Sequence, residues 1–177
     1  MTISDQTYLA WHNKLGTNLW FRRFWVFLGI YSVVFYGLAL IYILTLLQDW
    51  KIVVLAAVAG LITRYGACEL AHLFYKKYHP YQRLNFNPPT SWLFSFKDTR
   101  HDAFPSEHAA TSAALATIIF VFFPALGLWA FAFALLVGIG RIVLGYHEPS
   151  DIVAGYLVGI ISAYLLYLLS LFMLFTR

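Results

Sequence analysis

The chain has 177 residues, of which 61% are hydrophobic and only 11% carry a charge. Soluble domains average roughly 25% charged residues, so this composition predicts an integral membrane protein rather than a soluble helical bundle. The single cysteine, Cys68, excludes a disulfide framework and argues against a metal site built on thiolates. The net charge of +4 is attributed to loops that meet anionic headgroups, and not to nucleic-acid binding.

Residues 1–23 mix polar and aromatic side chains and precede the first long apolar run. Large side chains recur there at roughly helical spacing, namely Tyr8, Trp11, Leu15 and Leu19. Aromatic side chains favour the level of the lipid headgroups, so the pattern predicts a short helix lying in the membrane interface. A partly frayed tail is the alternative interpretation. We expect no cleavable signal peptide, because the first 20 residues hold no continuous apolar stretch.

Five apolar runs follow, and each is long enough to cross a bilayer at roughly 20 residues per helix. They are residues 24–47, 51–75, 106–123, 125–144 and 150–175. Backbone polar groups in lipid must be satisfied within the segment, so these runs predict helices. We therefore expect an all-α, polytopic bundle of about five transmembrane helices in a single domain, residues 24–177, after the interfacial segment.

An odd number of crossings decides which parts of the chain share a membrane face. The N-terminus, the 76–105 loop and the helix break at 145–149 fall on one face, which we call side A. All six histidines lie on or near side A, at positions 12, 72, 79, 101, 108 and 147. This clustering predicts that side A carries the chemistry.

The third run begins with the polar stretch Phe104–His108. Proline is favoured at the first position of a helix, and Pro105 there would leave the next N–H groups without intrahelical partners. Those groups point outward with the positive end of the helix dipole, which favours an anion. Ser106 adds a hydroxyl donor, and His108 adds a group that can donate a proton near neutral pH.

A second polar group closes the fourth run. Arg141 lies where a charge facing lipid would be costly, so it is expected to face the interior and hold an anion. Gly145 and the break before Pro149 allow the chain to turn back. His147 and Asp151 are four residues apart and share a face if the fifth helix begins near that break. A carboxylate that accepts from one imidazole nitrogen leaves the other as a nucleophile.

The pattern Pro-Ser-x-His followed by Arg-x5-His-x3-Asp resembles the type 2 phosphatidic acid phosphatase (PAP2) superfamily of membrane lipid phosphatases. The motifs match in full over residues 105–108 and 141–151, and the architecture is similar over residues 51–175. The resemblance implies that residues 24–177 form a PAP2-like transmembrane phosphatase domain, and that no metal or other cofactor is required.

The resemblance also implies roles for individual residues. His147 would attack phosphorus and form a phosphohistidine, and Asp151 would orient its ring. His108 would protonate the leaving oxygen and then help to activate water. The phosphoryl oxygens would be held by Arg141, Ser106 and N–H groups of the helix.

The first motif of that family, Lys-x6-Arg-Pro, is altered in this chain. One alignment puts His72 at the lysine and His79–Pro80 at the Arg-Pro pair, while a second uses Lys76 and Arg83 and loses the proline. We favour the first alignment, because it leaves the motif at the end of the helix before the loop. Phosphate binding by His72 and His79 would then depend on pH, since the histidine pKa is about 6.5.

Glu107, in place of the commoner glycine, is similar to the undecaprenyl-diphosphate phosphatase branch. The favoured substrate is therefore undecaprenyl diphosphate, and the alternative is phosphatidate or phosphatidylglycerophosphate. A hypothesis of another class is a lipid-phosphate binding or transport protein that has lost catalysis, suggested by the altered first motif. A multi-pass protein of the cell inner membrane is expected, with the membrane face of side A and the oligomeric state left open.

Two polar groups of the second run have no place in this scheme. The pair Glu69-x-x-His72 has the spacing of a metal ligand pair, but a di-iron bundle needs a second such pair and the sequence holds none. Arg64 lies near the middle of the run. It either serves the function or pairs with Glu69 or a carbonyl to hold helices together.

Overall fold

The structure is a computed structural model that describes residues 5–46, 48, 50–89 and 101–175. Every regular element in those ranges is helical, as predicted. In chain order the elements are α1 (Asp5–Thr17), α2 (Leu19–Val26), a π-helical turn (Phe27–Tyr31), α3 (Ser32–Leu46), α4 (Trp50–Ile62), a second π-helical turn (Thr63–Cys68), α5 (Glu69–Phe74), α6 (Pro80–Arg83), α7 (Glu107–Phe122), α8 (Pro124–Val143) and α9 (Pro149–Phe175).

Three helices of the described chain are long and apolar enough to cross a membrane by themselves. They are Trp50–Phe74, which joins α4 to α5, then α8 and α9, and their bounds agree with the predicted second, fourth and fifth spans. The predicted third span is α7, which has 16 residues and a length of about 24 Å at 1.5 Å per residue. The chain is thus a multi-pass membrane protein, with large apolar side chains exposed on its outer faces.

The first predicted span, residues 24–47, is not one straight helix. The segments before and after the π-helical turn at Phe27–Tyr31 meet at an angle of 57°, and the pair counts as a fourth span only if it is taken together. The bend falls beside a close helix contact: a Cβ at Gly29 would lie 2.9 Å from the carbonyl carbon of Gly140. The bend thus lies at a close backbone approach between this segment and α8, in a run whose composition alone predicts a continuous helix.

Helix α7 forms the centre of the bundle. Its Ala116 and Ile119 pack with α3 and α8, and its Ala114 and Ile118 pack with α4 and α9. A helix that is apolar on all sides is buried on all sides, and α7 shows no amphipathic face. The start of α7, which carries the Pro-Ser motif, is consequently enclosed by the other helices at side A.

Close contact between α7 and α9 depends on small residues. A Cβ at Gly159 would lie 2.1 Å from the carbonyl oxygen of Ala110, and one at Gly155 would lie 2.6 Å from that of Ser106. Glycines four residues apart allow membrane helices to approach in this way. The contact brings the start of α9 against the start of α7.

Helix α1 lies within residues 1–23, where a short helix was predicted, and it packs against the bundle. Its Tyr8 and Leu15 are buried, and Leu15 packs with Ile30 and Leu144. Because Leu144 belongs to the break between α8 and α9, α1 covers the loop that carries His147. The frayed-tail alternative therefore does not hold for residues 5–17.

Candidate active site

The α8–α9 loop turns sharply and holds His147 at side A. Gly145 has a φ of +78°, a left-handed conformation that glycine adopts readily, and the Tyr146 N–H donates to the Arg141 carbonyl at 3.0 Å. Pro149 begins α9, one residue before the predicted fifth run, at a helix start, where proline is favoured. His147 therefore lies in the loop, one turn before Asp151.

One ring nitrogen of His147 is committed to the backbone. Its Nδ1 lies 2.9 Å from the carbonyl oxygen of Ala103, and a carbonyl can only accept a hydrogen bond. Nδ1 must therefore carry a proton, and in the neutral ring the lone pair is on Nε2. Burial lowers the pKa of His147 well below its usual value, and the charges of Arg141 and His79 lower it further. The imidazole is accordingly neutral at pH 7, as a nucleophile must be.

Asp151 is fully buried but does not hydrogen-bond His147 directly. Its Oδ2 is 4.0 Å from His147 Nδ1 and instead accepts the Glu148 N–H at 2.8 Å. Its Oδ1 lies 2.5 Å from Nζ of Lys77, which also pairs with Glu148 at 2.8 Å. The predicted orienting bond is thus made by the Ala103 carbonyl, and Asp151 organises the start of α9 and supplies negative charge nearby.

Lys77 is a site residue that neither alignment of the first motif includes. Burial lowers the pKa of Lys77, but its hydrogen bonds to Asp151 and Glu148 outweigh that effect and raise the pKa overall. Lys77 is therefore charged throughout the neutral range. Its backbone pairs with the segment before the Pro-Ser motif, since Lys77 N–H donates to His101 and Ala103 N–H donates to Lys77.

The start of α7 differs by two positions from the prediction. Ser106 is the N-cap residue and Glu107 begins the helix, so Pro105 precedes the cap instead of occupying the first turn. The Ser106 N–H also has a partner, because it donates to the Asp151 carbonyl at 3.0 Å. The outward N–H groups of the first turn therefore begin with Glu107 and His108.

Two buried donors of the site have no hydrogen-bond partner among the residues that the structure describes. They are the Ser106 hydroxyl and Nε of Arg141. Arg141 is buried in α8, with its guanidinium 4.0 Å from the Tyr146 ring centroid and Nη1 3.4 Å from the Gly29 carbonyl. Unpaired buried donors are costly, so their presence marks a place where an anion can bind.

The predicted acid, His108, lies in the first turn of α7. Its backbone carbonyl accepts a hydrogen bond from the Ser112 hydroxyl at 2.8 Å. The imidazole is the group predicted to act as the acid. The Ser106 N–H donates to the Asp151 carbonyl at 3.0 Å, so the Pro-Ser-x-His motif lies against the start of α9. The structure thus brings the predicted Pro-Ser-x-His and Arg-x5-His motifs together around the His147 ring.

The geometry of the first motif favours the His72 and His79 alignment. The His79 ring lies 5.2 Å from that of His147, with Nδ1 on the Tyr146 carbonyl and Nε2 3.2 Å from Asp102. Lys76 is exposed, and Arg83 pairs with Asp5 and Glu148 at the surface of the bundle. His79 thus lies next to His147, whereas Arg83 links Asp5 of α1 to Glu148 at the surface.

His72 is buried beside the Pro-Ser turn. Its Nε2 lies 3.2 Å from the Pro105 carbonyl, and its Nδ1 is 4.0 Å from Oε1 of Glu107. Arg64 pairs with Oε2 of Glu107 at 3.1 Å, a partner that the sequence analysis did not name for it. His72 therefore holds the Pro-Ser turn through the backbone carbonyl of Pro105.

Tyr8 is a further residue that sequence reasoning missed. Its hydroxyl donates to the His147 carbonyl at 3.0 Å, across 139 positions of the chain. Ala103 was missed as well, because it acts through its backbone carbonyl and the pattern of side chains gives no signal for such a contact. The helical spacing that includes Tyr8 and Leu15 was a signal in the sequence, but it was interpreted as a helix lying in the membrane interface.

The fold and the site define a multi-pass helical membrane protein with histidine, arginine and aspartate side chains buried at one end of the bundle. The chain belongs to the PAP2 superfamily, because the model of that family matches residues 50–172. This confirms the family predicted from the motifs.

Two individual proteins are similar to the chain. One is the bacitracin transport permease protein BcrC of Bacillus licheniformis, 30% identical over 138 residues that cover 77% of this chain and 66% of that protein, just under two thirds of its length. The other is the crystal structure of a transmembrane PAP2 type phosphatidylglycerolphosphate phosphatase from Bacillus subtilis, with 19% identity, 92% of each chain covered and a TM-score of 0.41.

Proposed function

We infer that this protein hydrolyses the phosphate or diphosphate of a membrane lipid, with His147 as the nucleophile. The observation that carries the proposal is the hydrogen bond from His147 Nδ1 to the Ala103 carbonyl at 2.9 Å. It leaves a lone pair on Nε2 of a neutral, buried ring next to Arg141. A lone pair on a fixed imidazole is what nucleophilic attack on phosphorus requires.

The reaction proceeds in two steps. Nε2 of His147 attacks the terminal phosphorus, and the bond from that phosphorus to the leaving oxygen breaks. This oxygen is the lipid oxygen of a monophosphate or the bridging oxygen of a diphosphate, and it takes a proton from His108. Water then gives a proton to His108 as its oxygen attacks the phosphohistidine, and the P–N bond breaks to release phosphate. Arg141 and Ser106 hold the phosphoryl oxygens. The sequence predicts the same role for His79 and His72, but both ring nitrogens of His79 already have partners, the Tyr146 carbonyl and Asp102. The Arg141 and Ser106 donors match the charge that builds on those oxygens.

Undecaprenyl diphosphate is the favoured substrate, on the evidence of Glu107 in the Pro-Ser-x-His motif. Phosphatidate or phosphatidylglycerophosphate is the second candidate, and the name of the Bacillus subtilis phosphatase is in keeping with it. The cell inner membrane is the proposed location for any of these lipids.

A lipid-phosphate binding or transport protein without catalysis is the candidate from another class. The histidines in the first motif support it, and so does the name of the Bacillus licheniformis relative, a bacitracin transport permease protein. This candidate retains the anion site but predicts no phosphate release.

The test is phosphate release by the purified protein in detergent with EDTA, offered the three lipids in parallel. Wild type is compared with His147→Ala and with the control His101→Ala, whose exposed ring packs on Tyr78 at 3.9 Å. We expect phosphate release by wild type and by the control, and at least a thousandfold lower rate in His147→Ala. An acid-labile phosphoryl label is expected on wild type and not on His147→Ala. The lipid with the highest kcat/KM identifies the substrate.

The negative results are equally informative. No release from any of the three lipids, with wild type equal to His147→Ala, would overturn the enzyme hypothesis. Lipid-phosphate binding without release would then favour the transport class.

A further inference from the structure

A second cluster of polar side chains lies beside the anion site. Glu69 and His72 share one face of α5, and Glu107 reaches them from the start of α7. One ligand atom from each residue can be chosen so that all three atoms lie within 4.8 Å of one another. The sequence analysis set aside Glu69 and His72 because a di-iron bundle needs a second Glu-x-x-His pair. The tertiary structure supplies no second pair but adds one carboxylate, Glu107, from another helix.

The imidazole of His72 is oriented as in a metal site. Its Nε2 faces the Pro105 carbonyl at 3.2 Å, which can only accept, so Nε2 carries the proton and the lone pair of the neutral ring is on Nδ1. Histidine ligands of metals characteristically donate their other N–H to a carbonyl in this manner. Nδ1 is buried, points into the cluster and has no hydrogen-bond partner within the described chain, while the whole residue is 2% exposed.

The charges of the cluster leave room for a cation. Glu69 and Glu107 bring two carboxylates to a partly buried position, and the guanidinium of Arg64 lies 3.1 Å from Oε2 of Glu107. Arg64 is on the outer side of the cluster, with 41% of its side chain exposed, so it can withdraw from Glu107. A divalent ion within reach of all three donors would replace the Arg64–Glu107 ion pair with three ligands.

We propose that Glu69, His72 and Glu107 form a binding site for a divalent transition-metal ion such as Mn²⁺ or Zn²⁺. One imidazole and two carboxylates are a mixed nitrogen and oxygen donor set that suits such ions better than Ca²⁺ or Mg²⁺. The ion lies outside the phosphoryl-transfer steps. Through His72 and Glu107 it holds the Pro105 carbonyl and the start of α7, and thereby fixes the Ser106 turn.

Binding is measured with Mn²⁺ by electron paramagnetic resonance on the full chain in detergent, without an affinity tag. Wild type is expected to bind one ion. Glu69→Gln is expected to weaken binding at least tenfold, since it removes one charged ligand. The matched control is Glu148→Gln, the remaining glutamate of the chain, which pairs with Lys77 and Arg83 away from the cluster. The control is expected to bind as wild type does.

A substitution that acts in the opposite direction sharpens the test. Arg64→Gln removes the cation that competes for Glu107, so it is expected to tighten Mn²⁺ binding several-fold. Size-exclusion profiles show whether each variant is folded, and Glu69→Asp, which retains the charge, should bind between wild type and Glu69→Gln. No site in wild type up to 1 mM Mn²⁺, on the order of the weakest biological sites, would overturn the proposal. Equal affinity of wild type and Glu69→Gln, or weaker binding by Arg64→Gln, would overturn it as well.

Discussion

Two backbone carbonyls hold the histidine that we propose as the nucleophile. His147 donates to the Ala103 carbonyl through Nδ1, and its own carbonyl accepts the Tyr8 hydroxyl. The ring is therefore fixed without a direct bond to a carboxylate, and Asp151 is engaged by Lys77 instead. At the scale of single residues, the chemistry depends on which groups are left unpaired as much as on which are bonded.

The pH dependence of activity follows from the environment of His147. Burial, together with the charges of Arg141 and His79, lowers its pKa well below 6.5, so the ring stays neutral and nucleophilic through the neutral pH range. We expect the acid limb of kcat/KM to lie below pH 6.5, measured between pH 4.5 and 8. The ionisation of the substrate phosphate is determined separately by ³¹P NMR, because its own pKa is about 6. An acid limb above pH 7 that the substrate does not explain would contradict the neutral ring.

Lys77 and its neighbour Lys76 offer a matched pair of substitutions. Lys77→Met would leave the buried Asp151 carboxylate and Glu148 without their shared cation. Breaking a buried ion pair costs roughly 3 kcal/mol at the low end, so we expect a lower melting temperature in detergent and reduced kcat. Lys76→Met, at an exposed position, is expected to behave as wild type. The reverse order would instead favour the alignment that puts Lys76 and Arg83 in the first motif.

At the scale of the helices, close packing aligns the two halves of the site. The Gly155 and Gly159 contacts bring α9 against the start of α7, and the Gly29 and Gly140 contact brings α8 against the bend before α3. The sequence predicted four of the five apolar segments within one or two residues, because their length and composition reflect the bilayer. It did not predict the bend, which lies where the segment approaches α8.

Glycine substitutions test this packing directly. In Gly159→Ala the new Cβ would lie 2.1 Å from the Ala110 carbonyl oxygen, so backbone must move. Overpacking of this kind costs about 1–3 kcal/mol, and we expect lower thermal stability in detergent together with lower activity. Gly37→Ala is the control, since nothing lies within 4 Å of its added Cβ. A helical alanine there should be neutral or stabilising by up to about 1 kcal/mol. Equal stability of the two variants would contradict the close contact.

The docking of α1 predicts an effect at a distance in sequence. Tyr8→Phe removes the hydroxyl that donates to the His147 carbonyl while keeping the buried ring. We expect kcat to fall about tenfold, equivalent to ~1.4 kcal/mol, with little change in KM because the anion donors remain in place. Tyr42→Phe, at an exposed position on α3, serves as the control. A loss in melting temperature without a change in kcat would show that Tyr8 only stabilises the fold.

At the scale of the whole molecule, the site lies at the end of the bundle that α1 covers. Lys14 on α1 and Lys51 at the start of α4 should therefore face opposite sides of the membrane. Single cysteines at these exposed positions, Lys14→Cys and Lys51→Cys, are expected to react with an impermeant maleimide from opposite sides of sealed vesicles. Wild type is expected to stay unlabelled because Cys68 is fully buried. Labelling of both positions from one side would contradict a membrane crossing by residues 24–47.

The sequence by itself determined the class of protein, the helical segments and the motifs at side A. Long apolar runs leave the backbone no alternative to helices in lipid. Arg141, His147 and Asp151 lie within eleven residues of one another in the chain, so the sequence places them in one region of the fold. These features are local in the chain, so their pattern is readable without a structure.

The tertiary structure alone decided which groups complete the site. Tyr8, Lys77 and the Ala103 carbonyl reach the α8–α9 loop from distant segments, and Glu107 joins Glu69 and His72 from another helix. Such contacts depend on how helices rotate and approach one another, which small residues and packing set across the bundle. Local periodicity contains no information about that arrangement, and this is the physical reason why these residues could not be found from the sequence.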